Sequence, residues 1–194
     1  MKNILLAISF VLTCSLYGQD TELYEQDEPT SSKSKASKEL GFEFTFHAST
    51  LGGTVGGAMK LAFINENNFV VGPSIRLQRN WYNNLGLKTD WSIYGGGVFA
   101  HYRMYEYLFA GAEFELLSTP FKNGYFSANR SWAPTLLIGA GFSRAFSDNF
   151  RLNAGIMYDV INSTNSPFRQ GYFMRKENGT YIPVIYRIAF FIPI

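Results

Sequence analysis

The sequence predicts an all-β fold: an eight-stranded antiparallel transmembrane up-and-down β-barrel behind a disordered N-terminal tail. Three features carry that expectation. Apolar and polar residues alternate with a period of two through eight successive runs. The connections between runs alternate between short and long, except the first, around Leu51 to Thr54, which is short where a long one is expected. No stretch beyond the N-terminal segment approaches the ~18 consecutive apolar residues of a membrane-crossing helix.

The 194 residues suit one domain. Met1-Lys2-Asn3 is a short basic start, Ile4 to Leu12 is almost wholly apolar, and Thr13 to Gly18 is smaller and more polar. That layout predicts a signal peptide over residues 1–18, with Gln19 as the mature N-terminus. Cys14 follows Thr13 rather than a small residue, so it reads as a signal-core cysteine and not as a lipid anchor. Without it the mature chain has no thiol for disulfides or metal. Residues 19–39 run from an acidic half to a basic Ser/Lys half with almost nothing to bury, and are expected to form a disordered periplasmic tail. The barrel is expected over residues 40–194. The formal charge of +2 is too small to imply nucleic acid.

The runs follow in order. Leu40 to Ala48 sets Phe42, Phe44 and Phe46 against Glu43, Thr45 and His47, and Val55 to Phe63 sets Met59 and Leu61 against Ala58 and Lys60. Phe69 to Gln78 carries Val71, Pro73 and Ile75 opposite Ser74 and Arg76. Tyr94 to Arg103 carries Val98 and Tyr102 opposite Phe99, His101 and Arg103. Leu108 to Leu116 carries Phe114 opposite Glu113 and Glu115, and Pro134 to Ser143 carries Ile138 and Phe142 opposite Thr135 and Gly139. Phe150 to Val160 alternates Ile156 and Tyr158 with Arg151, Gly155 and Asp159. The last run sets Tyr186, Ile188 and Phe190 against Arg187 and Ala189. Each has about the ~9–11 residues of a tilted bilayer-crossing strand. Asn65–Asn68, Met104–Tyr107 and Ser147–Asn149 are short connections, whereas Arg79–Asp90, Ser118–Ser131 and Ile161–Thr180 are long. Short periplasmic turns and long outer loops are the pattern of an outer-membrane barrel.

A soluble lipocalin-like carrier would hide its apolar face inside. The inverted, membrane arrangement is favoured by aromatics near strand ends: Trp81, Tyr82, Trp91 and Trp132 on the loop side, Tyr102, Tyr105, Tyr107, Phe146 and Phe150 on the turn side. It is favoured too by a polar face mixing glycines with charges of both signs. Glu43, Lys60, Arg76, His101, Arg103, Glu113, Glu115, Arg151, Asp159 and Arg187 are expected to form a lumen ion-pair network, with Glu113 and Glu115 as its hub.

The C-terminal run Tyr186-x-Ile188-x-Phe190-x-Ile192-x-Ile194 resembles the signal by which outer-membrane barrels are recognised for assembly, although it closes on isoleucine rather than an aromatic. Residues 39–194 resemble the small barrels of the OmpA-barrel, OmpX and opacity-protein type. The resemblance implies the cell outer membrane, contact with outer-membrane lipid and lipopolysaccharide, the barrel assembly machinery as a partner, and a place in a larger outer-membrane complex. It carries no functional motif.

His47-Ala48-Ser49 resembles the His-x-Ser of outer-membrane lipid A deacylases. There the pair faces lipid; here the alternation puts it on the lumen side with Glu43 and Thr45, away from any lipid ester. One histidine beside Glu113 and Glu115 makes a poor metal site. No enzyme activity, metal or cofactor is therefore expected. The long loops mix Phe121, Tyr125, Phe126, Phe168, Tyr172 and Phe173 with Arg130, Arg169 and Arg175, which suits a contact surface or an extension of the aromatic girdle. The expected role is structural or interactive: adhesion, membrane integrity or an accessory subunit. A lipid-modifying enzyme using His47 and Ser49, a narrow solute conduit and a soluble carrier are the alternatives.

Overall fold

Period-two alternation over ten or more residues leaves each strand with one apolar and one polar face, and only closure satisfies every backbone hydrogen bond at the sheet's edges. A computed structural model of the chain describes residues 37–194 apart from 51, 85–86, 106 and 148. The side chains of residues 47, 49, 84, 87, 128 and 147 are also outside the description, as are the expected signal peptide, Cys14 and the tail to residue 36. Seven strands follow the chain order: β1 (Ser37–Ser49), β2 (Gly52–Ile64), β3 (Phe69–Asn84), β4 (Leu87–Met104), β5 (Leu108–Lys122), β6 (Tyr125–Ser147) and β7 (Phe150–Asp159). After a long connection holding a 3₁₀ turn (Pro167–Gly171) and the short hairpin β8 (Met174–Arg175) and β9 (Tyr181–Ile182), β10 (Val184–Pro193) returns to pair antiparallel with both β7 and β1. The barrel is closed and eight-stranded.

The faces are inverted relative to a soluble barrel. Phe44, Phe46, Leu77, Val98, Phe142 and Ile156 stand exposed on the outer wall, while Lys60, Arg76, Glu43 and Glu115 are buried inside. A soluble carrier would expose the charges and bury the phenylalanines, so that alternative is overturned. The outer wall is a lipid-facing belt. Trp81, Tyr82 and Trp132 stay exposed at its loop end, and Tyr102, Tyr105, Tyr107 and Phe146 at its turn end. Trp91 departs from the expected girdle. It packs against the buried cluster at the loop-side mouth and meets Phe121 and Phe126 edge-on at 6.0 and 5.7 Å.

Turn chemistry explains the short connections. Asn65 Oδ1 accepts from the backbone N–H of Asn67 and Phe69, and Asn68 takes a left-handed φ of 60° that asparagine tolerates. Pro73 explains a break in the β2–β3 ladder. The pairing lapses between Lys60↔Ser74 and Phe63↔Val71, where proline has no N–H to donate. Beside it, any Cβ on Gly72 would stand 1.7 Å from the Leu61 carbonyl oxygen, so only glycine fits.

The expected long loops are shorter than the alternation implied. β3 and β4 stay paired out to Asn84↔Leu87, and β5 and β6 to Lys122↔Tyr125, so two hairpins project beyond the belt. The β5–β6 register shifts between Thr119 and Phe121, at Pro120, which lets β6 bulge. Strand also begins earlier than the expected barrel start at residue 40, because Ser37–Glu39 pair with Ile64–Ala62.

Ile156 lies on the lipid face midway along β7. Ile156→Arg is expected to destabilise the barrel by ~2–4 kcal/mol in reversible unfolding from lipid, with no comparable loss for a polar change at the exposed turn residue Asn67.

Candidate functional site

Inside the barrel, strand parity turns one residue in two into the buried interior, where a charge is costly unless a protein partner faces it. Glu43 of β1 is the centre. Its Oε1 accepts from Arg76 Nη2 at 2.8 Å and from Arg187 Nη1, and Lys60 Nζ lies 3.2 Å from its Oε2. Arg76 also donates a forked pair to Glu115, Nε to Oε2 at 2.9 Å and Nη2 to Oε1 at 3.0 Å. Lys60 Nζ donates to Glu113 Oε1 at 2.5 Å, and His101 Nε2 lies 3.0 Å from the same oxygen. Arg187 Nη2 stands 3.6 Å from Glu115 Oε2. Lys60, Arg76 and Arg187 thus face Glu43, Glu113 and Glu115, three cations against three carboxylates.

This differs from the expected hub. Glu113 and Glu115 belong to the cluster, but Glu43 gathers the most cations. Barrel closure brings β1 beside β10 and lets its inward side chain reach Arg76 of β3, a proximity that counting strands along the chain does not show. Three other expected members stand outside it. Arg103 forms a separate forked pair with Glu39, at 3.0 and 2.5 Å, on the turn side. Arg151 is half-buried and donates to Ser143 Oγ at 3.2 Å. Asp159 is at the loop-side mouth and clasps the last long connection instead. Glu39 falls at the end of the expected tail, although extending the Glu43–Gly41 parity by two residues reaches it.

Asp159 gathers that connection through several donors. Its Oδ2 accepts from Tyr172 Oη at 3.0 Å and Ser166 Oγ at 3.2 Å, and its Oδ1 from the Asn162 N–H at 3.0 Å. Ser166 also caps the 3₁₀ turn by accepting from Phe168 N–H. The clasp turns Phe168 and Tyr172 into the barrel mouth, where they join Ile93, Leu117, Leu137, Met157 and Ile185 in a buried apolar roof. Phe168 lies over both guanidinium groups, 4.8 Å from Arg187 and 5.4 Å from Arg76. These two aromatics therefore serve neither as an outward contact surface nor as a girdle, while Phe173 remains exposed. An aromatic outside any periodic run gives no sign in the sequence of the direction it turns. At the other end Ala62, Ile64, Val70, Phe99, Ala189 and Phe191 form an apolar floor. The charged cluster lies between two apolar layers.

Beneath the 3₁₀ turn is a cavity of about 310 Å³, bordered by Arg76, Arg187, Thr54, Asn80, Phe168 and Ile185. Among the described residues no group of three or more His, Cys, Asp or Glu is placed to hold a metal. His47 and Ser49 sit at the loop end of β1, in register with Thr54 and Gly52; their side chains lie outside the description.

No protein family matches the sequence, and no curated protein does. Among solved structures, the Yersinia pestis outer membrane protein Ail in a phospholipid bilayer nanodisc aligns over 82% of this chain and 100% of its own, with a TM-score of 0.50 and 12% identity. The chain has the fold of the small eight-stranded outer-membrane barrels. A second structure, Yersinia pestis Ail in complex with the heparin analogue sucrose octasulfate, aligns over 81% of this chain and 94% of its own at 17% identity, and its TM-score of 0.38 is too low to argue from. At these identities the likeness concerns the fold alone.

Removing one partner from a buried ion cluster typically costs ~3–5 kcal/mol, whereas an exposed pair is worth ~0–1. Glu43→Ala is therefore expected to lower the temperature at which the barrel unfolds on a gel-shift assay by more than Glu113→Ala does. Asp90→Ala, which breaks the exposed Arg79–Asp90 pair, should leave that temperature nearly unchanged. The clasp has its own signature. Burial, with the Asp159 carboxylate beside it, raises the Tyr172 pKa above the ordinary tyrosine value. Its contribution is then complete below ~pH 10, the unfolded value, and declines as pH rises past it. Alkaline titration followed by phenolate absorbance should show one late-ionising tyrosine that Tyr172→Phe removes.

Proposed function

We propose that this protein is a non-enzymatic structural or interaction barrel of the outer membrane: a stiff, filled pillar that holds its loop-side hairpins at the cell surface. The roofed lumen carries this reading. Charged cluster, apolar floor and docked Phe168 occupy the interior, which disfavours a solute conduit. The hairpins supply the contact chemistry. Tyr125 and Phe126 are exposed at the β5–β6 tip, and Arg130 is fastened below it, donating to Ser118 Oγ at 2.8 Å and the Ser92 carbonyl at 2.7 Å while lying over Tyr94. Aromatics held in place beside arginine suit adhesion or docking within an outer-membrane complex. The lipid belt meets outer-membrane lipid and lipopolysaccharide, and the C-terminal strand carries the contact with the barrel assembly machinery.

The test joins two measurements. The full chain in planar bilayers is expected to show no conductance steps. In a deletion strain, the wild type should restore membrane integrity and surface attachment, whereas a chain with residues 120–130 replaced by a tight turn should fold, by gel shift, yet restore neither. Steady conductance by the wild type, or full restoration by the shortened chain, would overturn the reading.

A further inference from the structure

Seven of the barrel's eight seams are zipped over most of their length, and the eighth is not. β1 and β10 pair only from Glu39↔Pro193 to Glu43↔Ala189. Above that point β1 continues to Ser49, paired with β2 alone, and β10 runs down from Val184, paired with β7 alone. The parted edges lie in the loop-side half of the lipid belt, between the exposed outer side chains Phe44 and Tyr186. Unpaired strand edges facing hydrocarbon are costly, at several kcal/mol for each unsatisfied group.

The cavity under the 3₁₀ turn opens at this seam. Its border passes from inward residues, Arg187, Ile185 and Thr45, to the outer-wall residues Phe44, Phe173 and Tyr186. Arg187 is buried, lines the cavity, and carries at Nε a donor without a hydrogen-bond acceptor, its Nη1 and Nη2 being turned to Glu43 and Glu115. Across from it Thr54, Gln78 and Asn80 form a polar shelf in which Asn80 Oδ1 accepts from both neighbours and its Nδ2 is left unbonded. Free donors thus face an apolar wall of Phe168 and Ile185, behind a side entrance from the bilayer.

We propose that the seam admits a single-chain lipid from the outer leaflet, its acyl-ester head in the cavity and its tail leaving between β1 and β10. Three constraints select that guest. About 310 Å³ is at the small end of the ~300–1,000 Å³ of ligand pockets, so a head enters and the chain stays outside. The unbonded groups there, Arg187 Nε and Asn80 Nδ2, are donors, so the head must bring acceptors, as an ester carbonyl and glyceryl hydroxyls do. The neighbouring charges already balance three against three, so a head bringing a full negative charge would leave it uncompensated. The proposal is independent of the surface-contact role and rests only on the barrel's lying in a bilayer.

The full chain, with Cys14→Ser, would be reconstituted in phosphatidylcholine vesicles doped with a photoactivatable monoacylglycerol, and the labelled peptides mapped by mass spectrometry. Label is expected on β1 and β10 beside Phe44 and Tyr186, and on the 3₁₀ turn. Arg187→Lys keeps the cation near Glu43 but removes the Nε donor, and should lower that labelling about tenfold, the effect of one lost charged hydrogen bond. Gly171→Trp leaves the ion cluster intact and places bulk where an added Cβ meets nothing within 4 Å; it should abolish labelling. Continuing the β1–β10 register opposes Phe46 to Tyr186. A disulfide in Phe46→Cys/Tyr186→Cys should therefore shut the seam, and reductant should restore labelling. Three outcomes overturn the proposal: labelling indifferent to Gly171→Trp and to the disulfide, stronger labelling by a photoactivatable fatty acid than by the monoacylglycerol, or crosslinking of Tyr186→Cys to a second protein chain in place of lipid.

Discussion

A carboxylate buried inside a narrow barrel is costly without opposite charges beside it, and Glu43 meets that constraint by holding Lys60, Arg76 and Arg187 at once. Those residues come from β2, β3 and β10, so one side chain ties the first strand to its neighbour, to the strand beyond and to the last strand of the barrel. Glu113 and Glu115 complete the charge balance from the far wall. Buried ion pairs seldom add much net stability, because desolvation offsets attraction. Their effect here is specificity. A slip of one residue in any of these strands would turn its charge into lipid and leave its partners unpaired.

The apolar layers on either side make that cluster consequential. Phe191 packs over Arg103 and helps form the floor, while Phe168 covers Arg76 and Arg187 from above. Burial between these layers lowers the effective dielectric around the cluster, which strengthens each pairing and raises the cost of breaking one. The roof is not part of the wall. It belongs to a connection secured by Asp159 through Ser166, Tyr172 and Asn162. A loop held by a few polar contacts opens more readily than a strand in a closed sheet.

The same closure that assembles the cluster leaves the β1–β10 seam incomplete. β10 must satisfy β7 through Val184 and β1 only through Ala189, so the pairing load falls on the turn-side half. The filled interior and the parted seam are compatible because they occupy different heights. Below Glu43 β1 and β10 are paired; above it the cavity, the unbonded Nε of Arg187 and the roof loop meet the bilayer.

Period-two alternation determined the strands, their number and which face of each turns inward, because a pleated strand has only two faces. It put Glu43, Lys60, Arg76, Glu113, Glu115 and Arg187 on one face without reference to any neighbour. Turn residues determined where a short connection falls: the Asn65 side chain accepts from the following backbone, and Asn68 takes the left-handed φ. Which inward charges meet was decided only by the tertiary structure. Tilt and closure set the distances across a barrel, so Arg103 found Glu39 and Glu43 became the centre. The inward turn of Phe168 and Tyr172 was settled in the same way. A loop aromatic carries no periodic signal, and its direction depends on Asp159, which is close to it only once the barrel has closed.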